Sequence, residues 1–315
     1  HRLTPPLECL RALPLAVPWQ QGPPNGWHNH AALCWHGTPG AARQDHSTRR
    51  VFPPPPIARI FTTMQDTDRT HQRPLLTPEE REAINRGRWF AALTPSLRHD
   101  IFRLGTVTRY AHGEMIVEQG ELAQFWFTCA SGAIRFRRTT PAGRQVTLAY
   151  VEPGIWVGEA EVLHCGPNTY DAHAHGRTTL LSVAETVFRQ LLREHAEFGE
   201  ALLSLQARRM RYLYWMMEDM ATLPLRARLA KQLLHLMRRF GPRTATPDGE
   251  HPVGITLVQD ELAQLLGCSR QRVNVELKSL EREGTIRMAQ RGIIVLNLAQ
   301  LETIAQQENA DDRAG

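Results

Sequence analysis

One stretch near the C-terminus restricts the fold more than any other part of the chain. Between residues 255 and 284 two short amphipathic segments flank Gly267. Leu262, Leu265 and Leu266 recur at helical spacing before it, and Val273, Leu277 and Leu280 after it. A glycine at that point supplies the positive φ of a tight turn. Ser269 stands where a hydroxyl caps the second helix by accepting a backbone N–H. The pattern predicts a helix-turn-helix, whose second helix lies in the major groove of double-stranded DNA.

The polar residues follow that geometry. Arg270, Gln271, Arg272, Asn274 and Val275 occupy the first turns of the second helix, the portion that meets base edges. Arg pairs with guanine through two hydrogen bonds, and Gln or Asn with adenine. Lys278 and Arg282, further along, suit phosphates. After Gly284 come a short strand, a turn at residues 289–292 and a second strand, read as a β-hairpin wing with Arg287 and Arg291 near the DNA backbone.

Upstream the chain changes character several times. More than half of the 21 prolines lie in the first 60 residues, including the run 53–56, and no hydrophobic period is sustained there. Residues 1–75 are expected to be a disordered or spurious extension. Met64 suggests that 1–63 come from an over-extended reading frame, a natural disordered tail being the alternative. From Leu76 the pattern is orderly. Thr77 followed by Pro78 reads as a capped helix start, and a second short helix is expected near 95–102. Strands follow at 106–110, 115–117, 125–129, 133–138, 145–151 and 179–183, implying a small antiparallel sandwich or barrel. Residues 195–220 form one long helix. Its second half is apolar nearly all round, which predicts burial on two sides and hence a homodimer; an interior helix of a monomer is the alternative. A further helix spans 226–240, and residues 306–315 read as a disordered tail.

Composition bears on partners and compartment. Thirty-seven Lys and Arg against 32 Asp and Glu leave a net charge of +5, compatible with a phosphate-bearing partner. No apolar run approaches the roughly 18 residues of a membrane span, and the five cysteines are too scattered for a disulfide framework, so a cytoplasmic protein without membrane contact is expected. No nucleophile motif or phosphate-binding loop points to an enzyme, and Glu159 has no evident acid/base partner in the sequence. His164, Cys165, His173 and His175 include metal-ligand types but are read as a polar surface loop, so no metal or cofactor is expected.

The order of these elements resembles the Crp/Fnr family of bacterial regulators over roughly residues 85–300, most specifically at Gly267-Cys-Ser-Arg followed by Val273, Leu277 and Leu280. The resemblance implies an α+β protein: a cyclic-nucleotide-binding-like sensor β-roll (76–194), a dimerisation helix (195–222) and a winged helix-turn-helix (223–305). It implies a dimeric transcription regulator on a palindromic operator, with RNA polymerase left open as a further partner. A signalling subunit that responds to cyclic nucleotides without acting on DNA is the other reading. Ser269 and Arg270 match the family's phosphate and guanine contacts. Gln271 stands where many members have Glu, and Val275 where many have Arg, which predicts altered half-sites. In the sensor, Gly158-Glu159 matches the start of the phosphate-binding cassette, whose Glu contacts ribose. The Arg and small hydroxyl residue that should follow are replaced by Asn168-Thr169-Tyr170-Asp171-Ala172. The adenine-contacting polar pair of the long helix falls at Leu213 and Tyr214. The effector pocket candidates Gly158, Glu159, Thr169, Tyr170, Leu213 and Tyr214 therefore predict a signal other than cAMP. The iron–sulfur option of the family fails on the spacing of Cys9 and Cys34.

Overall fold

The computed structural model describes residues 75–307 apart from Arg243 and Arg291. The expectations for 1–75 and 306–315 thus fall, except at Leu75, Gln306 and Gln307, outside the described residues.

Three short helices open this region: α1 (Pro78–Asn85), α2 (Arg88–Ala91) and α3 (Pro95–Leu104). Thr77 begins α1 through a reciprocal cap, its hydroxyl accepting from Glu80 N at 3.2 Å while the Glu80 carboxylate accepts from Thr77 N at 2.9 Å. The β-roll follows, built from β1 (Thr106–Tyr110), β2 (Met115–Val117), β3 (Phe125–Thr139), β4 (Gln145–Val151), β5 (Trp156–Val157) and β6 (Asp171–Ala184), with the short helix α4 (Glu159–His164) between the last two. All pairings are antiparallel in the order β1-β6-β3-β4, with β2 on β6 and β5 on β3.

The β3–β6 ladder is the spine, running from Phe125↔Ala184 to Arg137↔Asp171. The two strands expected at 125–129 and 133–138 are one strand interrupted by a bulge. Gly132 sits there at φ +79, where a Cβ would meet Arg177 O at 2.3 Å, so the glycine that reads as a terminator instead lets β3 bend beside its partner. β6 likewise begins eight residues earlier than the expected strand at 179.

The ladder is buried on both faces. Ile116, Phe127, Cys129, Ile134, Phe136 and Leu180 fill the interior of the roll. On the other face Trp126 stacks on Trp156, ring centroids 3.9 Å apart, with Phe188 and Phe198 at 5.3 and 5.6 Å. Phe188 belongs to α5 (Glu185–Glu194), which the sequence reading missed although Phe188 and Leu191 recur on one face. Phe198 starts the long helix α6 (Ala196–Thr222). Trp89 Nε1 donates to Ala201 O at 2.8 Å, so aromatic packing clamps the first turns of α6. Beyond Leu202 the helix has no fully buried residue in this chain.

The C-terminal part has its own core. α7 (Leu225–Phe240) contributes Leu229, Ala230, Leu233 and Leu236 to a cluster completed by α8 (Gln259–Leu265), α9 (Arg270–Arg282), a three-stranded sheet of β7 (His251–Pro252), β9 (Gly292–Val295) and β8 (Ile286–Ala289), and α10 (Leu298–Ile304).

Trp126→Ala removes the ring that links β3, β5, α5 and α6; a loss of about 3–5 kcal/mol is expected, read as a lowered midpoint in urea denaturation at fixed protein concentration.

Candidate nucleic-acid interface and sensor site

The reading helix is presented by local chemistry. Gly267 adopts φ +64 in open space, so it is the backbone conformation, not crowding, that calls for glycine. Cys268 N donates to Ala263 O at 3.0 Å and closes the turn. Ser269 accepts from Arg272 N at 3.4 Å, the expected cap.

Charges on α9 are sorted by side. Val273, Leu277 and Leu280 face the core. Arg226 of α7 pairs with Glu276 and Glu283, and Glu281 accepts from Met288 N at 2.9 Å. The acids of α9 are thus tied to their own domain, while Arg270, Gln271, Arg272, Val275, Lys278 and Arg282 are exposed. Among the described residues Arg270, Arg272 and Lys278 take part in no ion pair. Asn274 differs: it is half-buried, and its carbonyl accepts from Gln259 Nε2 at 3.3 Å across the turn. Arg287 on the wing is also engaged, Nη2 lying 2.6 and 2.8 Å from the two Glu250 carboxylate oxygens. Arg291 lies outside the described residues.

The sensor site is built on a strained entry to α4. Gly158 takes φ +92, and a Cβ there would lie 3.2 Å from Phe125 O. This turn drives Glu159 into the roll, where it has no exposed surface. Its Oε1 accepts from Gln206 Nε2 at 2.6 Å and pairs with the Arg209 guanidinium, which also donates to Trp156 O. Oε2 has no partner. Burial raises the Glu159 carboxyl above its ordinary range, and Arg209 pulls it back.

The sequence reading saw no acid/base partner for Glu159 and did not foresee its donor Gln206 or its counter-charge Arg209. The available signal was helical spacing, since Arg209 lies one turn before Leu213. Leu213 and Tyr214 are themselves 50 % and 61 % exposed in the single chain. Tyr170 stacks on Phe136 at 4.2 Å, and its phenol is pushed up chiefly by burial and then by Glu161 and Glu159. Thr169 is exposed and donates to Glu161 at 3.0 Å. His164, Cys165, His173 and His175 form no metal-type cluster among the described residues. His175 instead donates through Nε2 to Thr256 O at 2.9 Å, beside Tyr150 and His112.

That contact belongs to a seam between β-roll and helix-turn-helix. Arg135 of β3 pairs with Glu261 of α8, and Gln264 of α8 accepts from Thr147 N of β4 at 2.8 Å. Ala133 and Tyr150 pack into the same buried cluster as Leu262 and Leu266.

Comparison with known proteins agrees with this architecture. The cyclic nucleotide-binding domain model matches residues 107–195, and the Crp-like helix-turn-helix domain model matches 227–304. The chain is 33 % identical over 197 residues to the cyclic AMP receptor protein of Thermus thermophilus, covering 62 % of this chain and 86 % of that one. The chain belongs to the Crp/Fnr family. It is 28 % identical over 214 residues to a CRP-like cAMP-activated global transcriptional regulator of Mycobacterium tuberculosis, covering 68 % and 94 % of the two chains. The crystal structure of a CRP-family transcriptional regulator from Thermus thermophilus overlays with a TM-score of 0.53 at 28 % identity, covering 64 % of this chain and 97 % of that one. This Crp/Fnr protein is a DNA-binding transcriptional regulator of a non-enzymatic family, and none of its described helices is long and apolar enough to cross a membrane.

Arg209→Ala leaves a buried carboxylate without its cation, at a cost of about 3–5 kcal/mol near pH 7. Because burial raises the carboxyl pKa, the folded state retains the proton at pH values where the unfolded chain has lost it. The deficit therefore shrinks as pH falls towards about 4 and grows as pH rises. Glu159→Gln removes this pH dependence, and denaturation midpoints across pH compare the two variants.

Proposed function

We propose that this Crp/Fnr regulator acts as a homodimer on a palindromic operator and that its sensor responds to a signal other than cAMP. The separation of charge on α9 carries the DNA part of the reading: its acids are held by Arg226 and the wing, while Arg270, Arg272 and Lys278 stay free for DNA. Within it, Ser269 and Lys278 serve phosphates, with Arg282 beside them. Arg270, Gln271 and Arg272 read base edges, with Val275 offering an apolar contact to thymine methyls. Asn274 holds the turn to Gln259 and contributes less to reading. Arg287 must exchange Glu250 for a phosphate if the wing touches the backbone, and Arg291 is assigned to the wing on sequence alone. Gln271 and Val275 favour half-sites other than those of family members with Glu and Arg at these positions. RNA polymerase is a further partner compatible with this role.

The domain assignment follows the same logic: sensor 76–194, dimerisation helix 195–222 and DNA-binding domain 223–305. Leu203, Met210 and Met217 recur every seven residues, with Leu213 and Met220 at the intervening positions, and all five are exposed in the single chain. This spacing is the seam of a two-stranded coiled coil, and the matching occupant is a second copy of α6.

The relatives at 33 % and 28 % identity carry cAMP in their descriptions. Three features of this chain favour another effector. The cassette at residues 168–172 offers no cation to a cyclic phosphate. The one cation at Glu159 is Arg209, already engaged. Leu213, which has no polar group, and Tyr214, whose only polar group is a phenol at the end of a bulky ring, stand where an adenine would need polar partners. A buried phosphate without charge-assisted hydrogen bonds loses several kcal/mol.

Two measurements test this reading. Arg270→Ala is expected to lose about 1–3 kcal/mol on the selected operator, roughly 5- to 150-fold in a gel-shift titration, whereas Lys278→Ala weakens all sequences alike and lowers the salt slope by about one. Calorimetry of the full chain with cAMP is expected to show no saturable heat; micromolar binding overturns the effector proposal and leaves the DNA-binding role standing.

A further inference from the structure

A second basic site lies on the helices that precede the β-roll. α1 and α3 together border an open surface cleft of about 240 Å³ lined by Arg81, Asn85, Pro95, Arg98, His99 and Phe102. The two helices supply these side chains at i, i+4 spacing, Arg81 with Asn85 and Arg98 with Phe102, so each offers one cation to the same space.

Among the described residues no acid lines the cleft, and Glu80, Glu82 and Asp100 beside it are engaged elsewhere. Glu80 pairs with Arg109, Glu82 with Arg86, and Asp100 with Arg103 and His195. Arg81 lies over the Phe102 ring, its guanidinium carbon 4.2 Å from the centroid. Arg98 Nε is buried and has no hydrogen-bond partner among the described residues. Neither guanidinium enters an ion pair among the described residues. Two like charges facing one cavity with no counter-charge repel each other, and an oxyanion between them relieves that repulsion.

We propose that this cleft binds a phosphate group, either inorganic phosphate or the head of a small phosphomonoester. Guanidinium forks match tetrahedral oxyanions through paired N–H donors. Two arginines suit a dianion better than a single carboxylate. The volume falls below the roughly 300–1,000 Å³ of pockets that enclose whole drug-sized ligands. An ester tail would therefore project into solvent. The site is separate from both Glu159 and α9, so it stands or falls independently of the effector and DNA readings.

Calorimetry of the full chain tests the proposal, with inorganic phosphate and glycerol 2-phosphate titrated against chloride at matched ionic strength. The expected result is saturable binding of one anion per chain, weakened at least tenfold in Arg98→Gln and in Arg81→Gln. Tighter binding of the ester identifies an organic phosphate, and equal binding identifies the inorganic anion; both support the site. Gel-shift affinity for DNA in chloride buffer, unchanged in both variants, shows that they are folded. No saturable heat in the wild type, or heat that survives both substitutions because the anion sits on α9, overturns the proposal.

Discussion

A carboxylate with no exposed surface cannot persist in an apolar roll unless something answers its charge, and Glu159 receives that answer from another element. Gln206 and Arg209 arrive on α6, so the β-roll and the long helix are bound by an electrostatic requirement as well as by packing. The aromatic cluster of Trp126, Trp156, Phe188 and Phe198 fixes where α6 begins, and Trp89 bonds to its second turn. Glu159 then fixes its rotation. Any ligand or side chain that competes for Arg209 acts on the same helix that carries the apolar heptad seam.

The second link runs from the roll to the DNA-binding domain. It is made by α8 through Arg135–Glu261 and Thr147–Gln264, by Thr256 in the loop before α8 through His175, and by α7 through Arg239–Glu152, rather than by α9. This division leaves the reading helix uncommitted while holding its neighbour. α8 and α9 share Leu262, Leu266, Val273 and Leu277 in one core, so the exposed arginines are carried by a helix packed directly on the one that meets β3 and β4.

How much of this was legible in the sequence depended on range. The turn at Gly267, the cap at Ser269 and the capping residue Thr77 are local, each decided within four residues, and they could be read directly. The start of β6 could not, because residues 171–178 alternate histidines and small residues and become a strand only by pairing with β3 some 40 positions earlier. Gly132 looked like a terminator because a bulge and a break use the same residue. In the DNA interface, local pattern found the exposed residues of α9 but not the engagement of Asn274 by Gln259 or of Arg287 by Glu250. In the sensor it found Gly158 and Glu159, while Arg209 depends on the angle at which a distant helix crosses the roll. The one clue was helical spacing, since Arg209 lies one turn before Leu213.

The seam also bears on how the molecule loses its structure. Ala133 and Tyr150 are strand residues of the roll, yet they are counted in the hydrophobic core of the helix-turn-helix. Two bodies that share core residues do not melt as strangers: opening one strips apolar cover from the other, so their unfolding is coupled. Separating the reading head from its sensor would therefore expose a patch that each half keeps dry for the other.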